Sequence, residues 1–302
     1  MLKLVPAALF SALLLTACGG TPVRSGSSPA SPSSAEPAAH VQLPGPNDNL
    51  NAVAWTQTAV ERDMIYRQAY RNAGHQLDRA LADPEWEALA VNERKGQRPP
   101  ALKPAVILDI DETVLDNSPY QARLVINGSS YNEFTWAEWC REESASGLPG
   151  ALEFTRLAAS KGITVFYLSN RAQDLGDATL ANLRKLGFPI ADDQDVFLGL
   201  GTVVPNCEQN GSDKSCRREL VSRDHRVLMQ FGDQLGDFID VMANTREGRS
   251  ESITPYLDWI GERWFVLPNP TYGHWESALF NNDWSQSAEL RREAKLRALK
   301  TD

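Results

Sequence analysis

From residue 105 to residue 267, short apolar runs alternate with longer segments whose apolar positions recur every three or four residues. The runs at 105–110, 163–168, 196–198, 227–231 and 264–267 lack polar alternation, the pattern of strands buried on both faces. Helical spacing marks 151–160, 172–186 (closed by Gly187), 214–222 and 235–243, and 289–299 predicts a terminal helix. Upstream, residues 49–91 read as largely helical: Ala52, Ala54, Val60, Met64, Ile65, Ala69 and Tyr70 recur at roughly helical spacing, and Leu77, Ala80 and Leu81 continue beyond Gly74. Pro84 predicts the start of a separate short helix, and the polar stretch 92–104, with its double proline, a crossing loop. Strand–helix alternation of this kind implies an α/β fold, an open parallel sheet flanked by helices that binds ligands at the carboxyl ends of its strands. No internal repeat is evident.

The first 47 residues fit none of this. Lys3 precedes a mostly apolar stretch at 4–15, too short to span a bilayer, so 1–17 reads as a signal peptide. Residues 18–47 are rich in Gly, Ser, Pro and Ala and form a tether that buries no core. The folded domain is expected over 48–302. Leu15-Thr16-Ala17-Cys18 resembles a bacterial lipobox, which implies a lipid anchor on Cys18; an ordinary secretory signal with Cys18 incidental is the plainer reading. Gly19, by the same resemblance, favours the outer membrane of a bacterial envelope. The formal charge of −9 makes the chain a poor candidate for general nucleic-acid or anionic-membrane binding, and an anionic substrate would need a locally positive site. Of the remaining cysteines, Cys207 and Cys216 could close a small loop, leaving Cys140 free or paired elsewhere. No Cys/His grouping has zinc spacing.

The chemistry gathers at the strand ends. AVILDIDETVLDNS (105–118) drives an apolar strand into Asp109, Asp111, Glu112 and Asp116. Clustered carboxylates repel and are costly to desolvate, and a bound cation offsets both. The strand at 163–168 delivers Ser169, Asn170 and Arg171; the one at 227–231 delivers Gly232, Asp233 and, a turn later, Asp237. Lys214 opens a helix between them. Together these suit a hard divalent ion such as Mg²⁺, held by oxygens and facing a phosphate. Competing readings exist for each residue. Asp237 could be a first-turn helix acid, Arg217 and Arg218 rival Lys214, and Trp136 and Tyr272 could be plain core aromatics.

DIDET (109–113) matches the signature of the haloacid dehalogenase (HAD) superfamily. ILDIDETVLDNSPY (107–120), GDQLGDF (232–238) and LPNPTYGHWE (267–276) resemble a narrower group, the class C acid phosphatases, which include outer-membrane lipoprotein 5′-nucleotidases. The resemblance runs from about residue 49 to 284. It implies a Rossmann-like core with a small, mainly helical cap from about 117–150. It also implies Asp109 as nucleophile, Asp111 as general acid and base, and Mg²⁺ on Asp109, the Asp111 carbonyl, Asp233 and Asp237. By the same resemblance Ser169 and Lys214 meet the phosphate, Asn170 and Arg171 contact substrate, and Trp136 and Tyr272 hold a nucleobase. The expected function is a lipid-anchored, Mg²⁺-dependent phosphomonoesterase for nucleoside 5′-monophosphates. A non-catalytic binding lipoprotein and a phosphotransferase are the alternatives.

Overall fold

A computed structural model describes residues 45–94 and 102–301. The signal-peptide segment 1–17, Cys18 and the tether as far as residue 44 lie outside the described residues, as do 95–101.

The helical reading of the first segment resolves into α1 (Leu50–Thr58) and α2 (Val60–Ala82), broken where Ala59 turns extended. Just before the break the hydroxyls of Thr56 and Thr58 donate back to the carbonyls of Ala52 and Ala54, a pattern that bends helices. Pro84 starts no helix. Its predecessor Asp83 is extended, as a residue before proline prefers, and the following segment lies against the sheet. There Ala88 N–H donates to the Val227 carbonyl, and the Trp86 indole donates to that of Leu228. The Gln230 amide and the Trp264 indole both donate to the Ala88 carbonyl. Both backbone groups of Ala88 are thus paired with the sheet strands instead of within a helical turn. A 3₁₀ turn at Val91–Glu93 follows.

Beyond it comes β1 (Lys103–Leu108). A two-residue pair, β2 (Leu115–Asp116) against β3 (Ser146–Gly147), then encloses α3 (Ser118–Asn127) and α4 (Glu133–Arg141). The chain continues through α5 (Ala151–Ser160), β4 (Thr164–Ala172), α6 (Gly176–Leu186), β5 (Phe197–Leu200), α7 (Ser215–Asp224) and β6 (His225–Gly232). It ends with α8 (Arg246–Ile253), β7 (Trp264–Val266), α9 (His274–Ser277) and α10 (Ala288–Ala298).

The five long-range strands form one parallel sheet in the order β5-β4-β1-β6-β7. β1 therefore lies where the chain order reverses, with β4 and β5 on one side and β6 and β7 on the other. In such sheets a crevice opens at that point, beyond the strands' carboxyl ends. The core lies along both faces. Tyr70 of α2 stacks on Phe231 at 5.2 Å between centroids, and Phe231 stacks on Phe265 at 4.9 Å. Phe154 of α5 joins them. Among the described residues, no helix is long and apolar enough to cross a membrane.

Two boundaries differ from expectation, and both differences touch the strand ends. β4 runs on through Ser169, Asn170 and Arg171 to Ala172, so the helix expected from 172 begins only at Gly176, after a 3₁₀ turn. The helix expected over 235–243 does not form; only Leu235–Asp237 makes a 3₁₀ turn. The groups a helix would pair internally are taken. Arg218 Nη1 donates to the carbonyls of Gly236 and Asp237, Gln230 to that of Phe238, and the Asp240 N–H donates to Glu93. The helix after this strand comes later, as α8, where the Thr245 side chain caps Gly248 N–H at 3.0 Å.

Candidate active site

The turn after β1 aims the acids. Asp109 N–H extends the β1–β6 ladder by donating to the Phe231 carbonyl, and Ile110 O accepts from the N–H groups of Val114 and Leu115. This tight reversal puts Glu112 at φ +58°, a strained conformation for a residue with a side chain. Its surroundings hold it there. Tyr66 Oη donates to the Glu112 carbonyl, Tyr70 Oη to that of Thr113 at 2.7 Å, and Asn117 N–H to Glu112 Oε1 at 2.9 Å. Tyr272 Oη donates to Glu112 Oε2. Burial, helped by the nearby charges of Asp111, Asp233 and Asp116, pushes the Glu112 carboxyl well above its usual range.

Asp109, Asp233 and Asp237 each present an oxygen, all within 4.8 Å of one another. Gly232 makes this possible: a Cβ there would sit 2.3 Å from the Asp237 Cβ, so only glycine lets Asp237 fold back toward the strand end. Lys214, the residue before α7, closes the group. Its buried ammonium donates to Asp109 Oδ1, to Asp237 Oδ1 at 2.7 Å and to the Leu168 carbonyl at 3.0 Å. Asp233 Oδ2 accepts from Gln234 Nε2 at 2.6 Å and Asn269 Nδ2 at 2.8 Å.

One cation against three carboxylates leaves the cluster negative. Burial pushes Asp109 well above the usual carboxylate range, although the Lys214 ammonium works against it. Burial and the neighbouring Asp237 push Asp233 up to about 7, opposed by the amides of Asn269 and Gln234. Burial disfavours the charge on Lys214, but Asp109 and Asp237 outweigh it and hold its pKa above the ordinary value. An all-oxygen donor set with surplus negative charge, carrying neither thiolate nor imidazole, fits a hard divalent cation.

Beside this cluster stands a second one. Asp111 Oδ2 accepts from Ser169 Oγ at 3.0 Å. Its Oδ1 accepts from Arg171 Nε and from Asn117 Nδ2, both at 2.9 Å. Asn170 is exposed and points elsewhere, accepting from Arg217 Nη2 at 2.7 Å. Arg217 also donates to the Ser169 carbonyl, while Arg218 makes a buried two-point ion pair with Glu93. Of the three neighbouring cations, Lys214 is the one in the acid cluster.

Trp136 of α4 packs against the Arg171 guanidinium at 5.5 Å and edge-on to Tyr120 at 5.1 Å. It borders the second cluster through Arg171, and Tyr272 borders the first turn through Glu112. Cys207 and Cys216 form a disulfide whose loop contains Lys214; Cys140 is free and buried.

Sequence reasoning assigned no role to Gln234 and Asn269, the amide donors to Asp233. Gln234 is visible beside its acid in GDQLGDF. Asn269 lies 36 residues away, and only the β6–β7 pairing brings it close. Tyr66 and Tyr70 gave no signal beyond helical spacing.

Residues 38–275 match the HAD superfamily, subfamily IIIB (acid phosphatase) family. A class C acid phosphatase from Bacillus anthracis, solved with tungstate bound, matches with a TM-score of 0.71 at 35% identity, covering 84% of this chain and 97% of that one. The stem 31 kDa glycoprotein of Glycine max is 32% identical over 167 residues, 55% of this chain and 58% of its own length. Acid phosphatase 1 of Solanum lycopersicum is 25% identical over 166 residues, 55% of this chain and 57% of its own length. The chain thus spans less than two thirds of the length of these two curated relatives. The extent of the family match and the near-complete coverage of the Bacillus enzyme place the chain in the class C acid phosphatase family, within subfamily IIIB of the HAD superfamily.

Proposed function

We propose that this protein is a divalent-metal-dependent acid phosphatase working through an aspartyl-phosphate, with Mg²⁺ as its metal and nucleoside 5′-monophosphates among its substrates. The observation that carries the reading is the buried Asp109 carboxylate, held by Lys214 inside the oxygen cluster of Asp233 and Asp237 with Asp111 two residues away. A nucleophile needs to be ionised and aimed; Lys214 aims Asp109 and favours its charge against burial, and a bound cation would favour it further. Asp109 attacks phosphorus, the bond to the leaving oxygen breaks, and Asp111 gives that oxygen its proton. Water then attacks the phosphorus of the aspartyl-phosphate, Asp111 takes the proton, and Asp109 and phosphate are released. Ser169 and Lys214 hold the phosphoryl oxygens. Asp109, Asp233 and Asp237 would hold the cation, which neutralises charge on the transferring group when bound. Tungstate, the anion bound by the Bacillus enzyme, is a tetrahedral oxyanion of the kind such a site would accept.

The nucleotide preference rests on the aromatic rim. Trp136 is only 9% exposed and offers little free face; Tyr131, 54% exposed and 6.2 Å from Trp136, offers more. Aromatic faces of this kind stack on any base.

The test is phosphate release from 5′-, 3′- and sugar phosphates, with Mg²⁺ and with chelator, for wild type and Asp109→Asn. Metal-dependent release that Asp109→Asn abolishes is expected. No release from any ester by folded, metal-loaded protein would sink the reading in favour of a binding protein, and transfer to added alcohols would make it a phosphotransferase.

A further inference from the structure

Arg171 carries a full charge with a side chain only 1% exposed. All three of its guanidinium nitrogens are engaged within the protein. Nε donates to Asp111 Oδ1 at 2.9 Å, Nη2 to Asn117 Oδ1 at 3.2 Å and Nη1 to Thr179 Oγ1 at 3.3 Å, while Trp136 lies across its plane. These bonds use three of its five N–H groups, and burial leaves the side chain no open face toward a substrate. Among the described residues, its carboxylate partner at hydrogen-bond distance is Asp111.

The two oxygens of Asp111 differ. Oδ1 takes two donors, Arg171 Nε and Asn117 Nδ2, and both belong to buried residues. Oδ2 takes one, the Ser169 hydroxyl, a rotor that can turn to a phosphate oxygen. The anchoring pair is itself held by the helical insertion: Trp139 Nε1 donates to Asn117 Oδ1 at 2.8 Å, and Trp136, three residues earlier on the same face of α4, covers Arg171.

We propose that Arg171 is a positioning residue for Asp111: with Asn117 it fixes Oδ1, so that Oδ2 is the oxygen that carries the proton, and α4 holds the anchor in place through Trp136 and Trp139. The inference rests on the phosphatase reading. It replaces the substrate contact that resemblance implies for Arg171. As the phosphorus–oxygen bond breaks, the proton moves from Asp111 Oδ2 to the departing oxygen. A misoriented carboxyl hinders that transfer without weakening the hold on phosphate.

Leaving-group dependence separates the two roles. kcat/KM is measured for 2,4-dinitrophenyl phosphate, p-nitrophenyl phosphate and glycerol phosphate with wild type, Arg171→Lys and Trp139→Phe. A dinitrophenolate needs no proton to depart, whereas an alkoxide does. Arg171→Lys is expected to lose about 10²-fold on glycerol phosphate, less on p-nitrophenyl phosphate and at most about threefold on the dinitrophenyl ester. Trp139→Phe keeps an aromatic ring, smaller than the indole, but loses the N–H, and should show the same ordering with a smaller loss. It also carries the test if Arg171→Lys fails to fold. An equal loss on all three esters, carried by KM, would overturn the inference and make Arg171 a substrate contact. Wild type inactive on all three would instead sink the phosphatase reading, and this inference with it.

Discussion

The acid cluster makes metal-free stability depend on pH in a direction opposite to that of an ordinary salt-bridged carboxylate. Asp233 has a folded pKa of about 7 against an ordinary 3.8, chiefly through burial. Its folded state favours the protonated form, so its contribution to stability is complete below the unfolded pKa and is lost as pH rises through the folded one. Between pH 5 and pH 8 the folded and unfolded proton occupancies diverge by roughly two pK units' worth, about 2.6 kcal/mol at 1.36 kcal/mol per unit. Partial exposure of the carboxylate screens this to about 2 kcal/mol. In a domain of this size that is roughly 4–8 °C in Tm. Asp109 is shifted the same way, while His225 and His274, held below their ordinary value by burial, oppose the trend below about pH 6.5. A difference measurement removes the histidine contributions and leaves the acid cluster's own. Thermal melts of wild type and Asp233→Asn, both in chelator, are compared from pH 5 to pH 8. The variant is expected to gain those 4–8 °C on wild type as pH rises. Saturating Mg²⁺ at pH 8 should restore wild type by about 2.7 kcal/mol at a hundred times Kd and the variant by much less. A flat difference curve, together with equal Mg²⁺ stabilisation of both proteins, would refute the reasoning.

Three further outcomes follow from the same geometry. Lys214→Met leaves Asp109 and Asp237 buried without a counter-charge, and should lower metal-free stability by about 3–5 kcal/mol at neutral pH in denaturant unfolding and abolish turnover. Replacing Cys207 and Cys216 with serine opens a short loop around Lys214, and should cost about 2–3 kcal/mol and slow turnover more than it weakens phosphate binding. If Cys18 carries the lipid anchor that the lipobox resemblance implies, radiolabelled fatty acid should be incorporated into the wild-type protein and not into Cys18→Ser; labelling of both would refute the anchor.

The strand ends were legible because the chemistry is local. Asp109, Asp111, Ser169, Asp233 and Asp237 each follow an apolar run within a few residues, and a parallel sheet brings such runs to one edge whatever lies between them. What the sequence withheld depends on partners far along the chain. The helix expected over 235–243 has the right periodicity, but Arg218, Gln230 and Glu93 claim its backbone groups from positions 8 to 147 residues away. Pro84 marked a boundary correctly in kind but not in outcome, because the sheet edge at Val227 offered the next residues better hydrogen bonds. Arg171 shows the limit most sharply. Its place in a strand-end motif says that it is near the chemistry, and nothing local says whether it faces the substrate or stands behind Asp111.

The start of α7 carries this argument one step further. Lys214, Arg217 and Arg218 are near neighbours of one charge type, and composition cannot rank them. Their reach and donor geometry do. The lysine, a point charge on a flexible stem, sits between two carboxylates and takes one oxygen of each. Arg217, with its planar fork, gathers carbonyls of Ser169, Ser212 and Asp213, tying the end of β4 to the loop before α7. Arg218 meets Glu93 with two nitrogens and holds the carbonyls of Gly236 and Asp237 with the third. Asp237 is therefore gripped twice by the same helix start, at its side chain by Lys214 and at its backbone by Arg218. The position of one carboxylate of the acid cluster and of the ammonium beside it is set by a single element, and the Cys207–Cys216 bridge fixes that element's first turn to the loop before it. A displacement of α7 would move Lys214 and Asp237 together, preserving their contact while shifting both relative to Asp109, which belongs to β1.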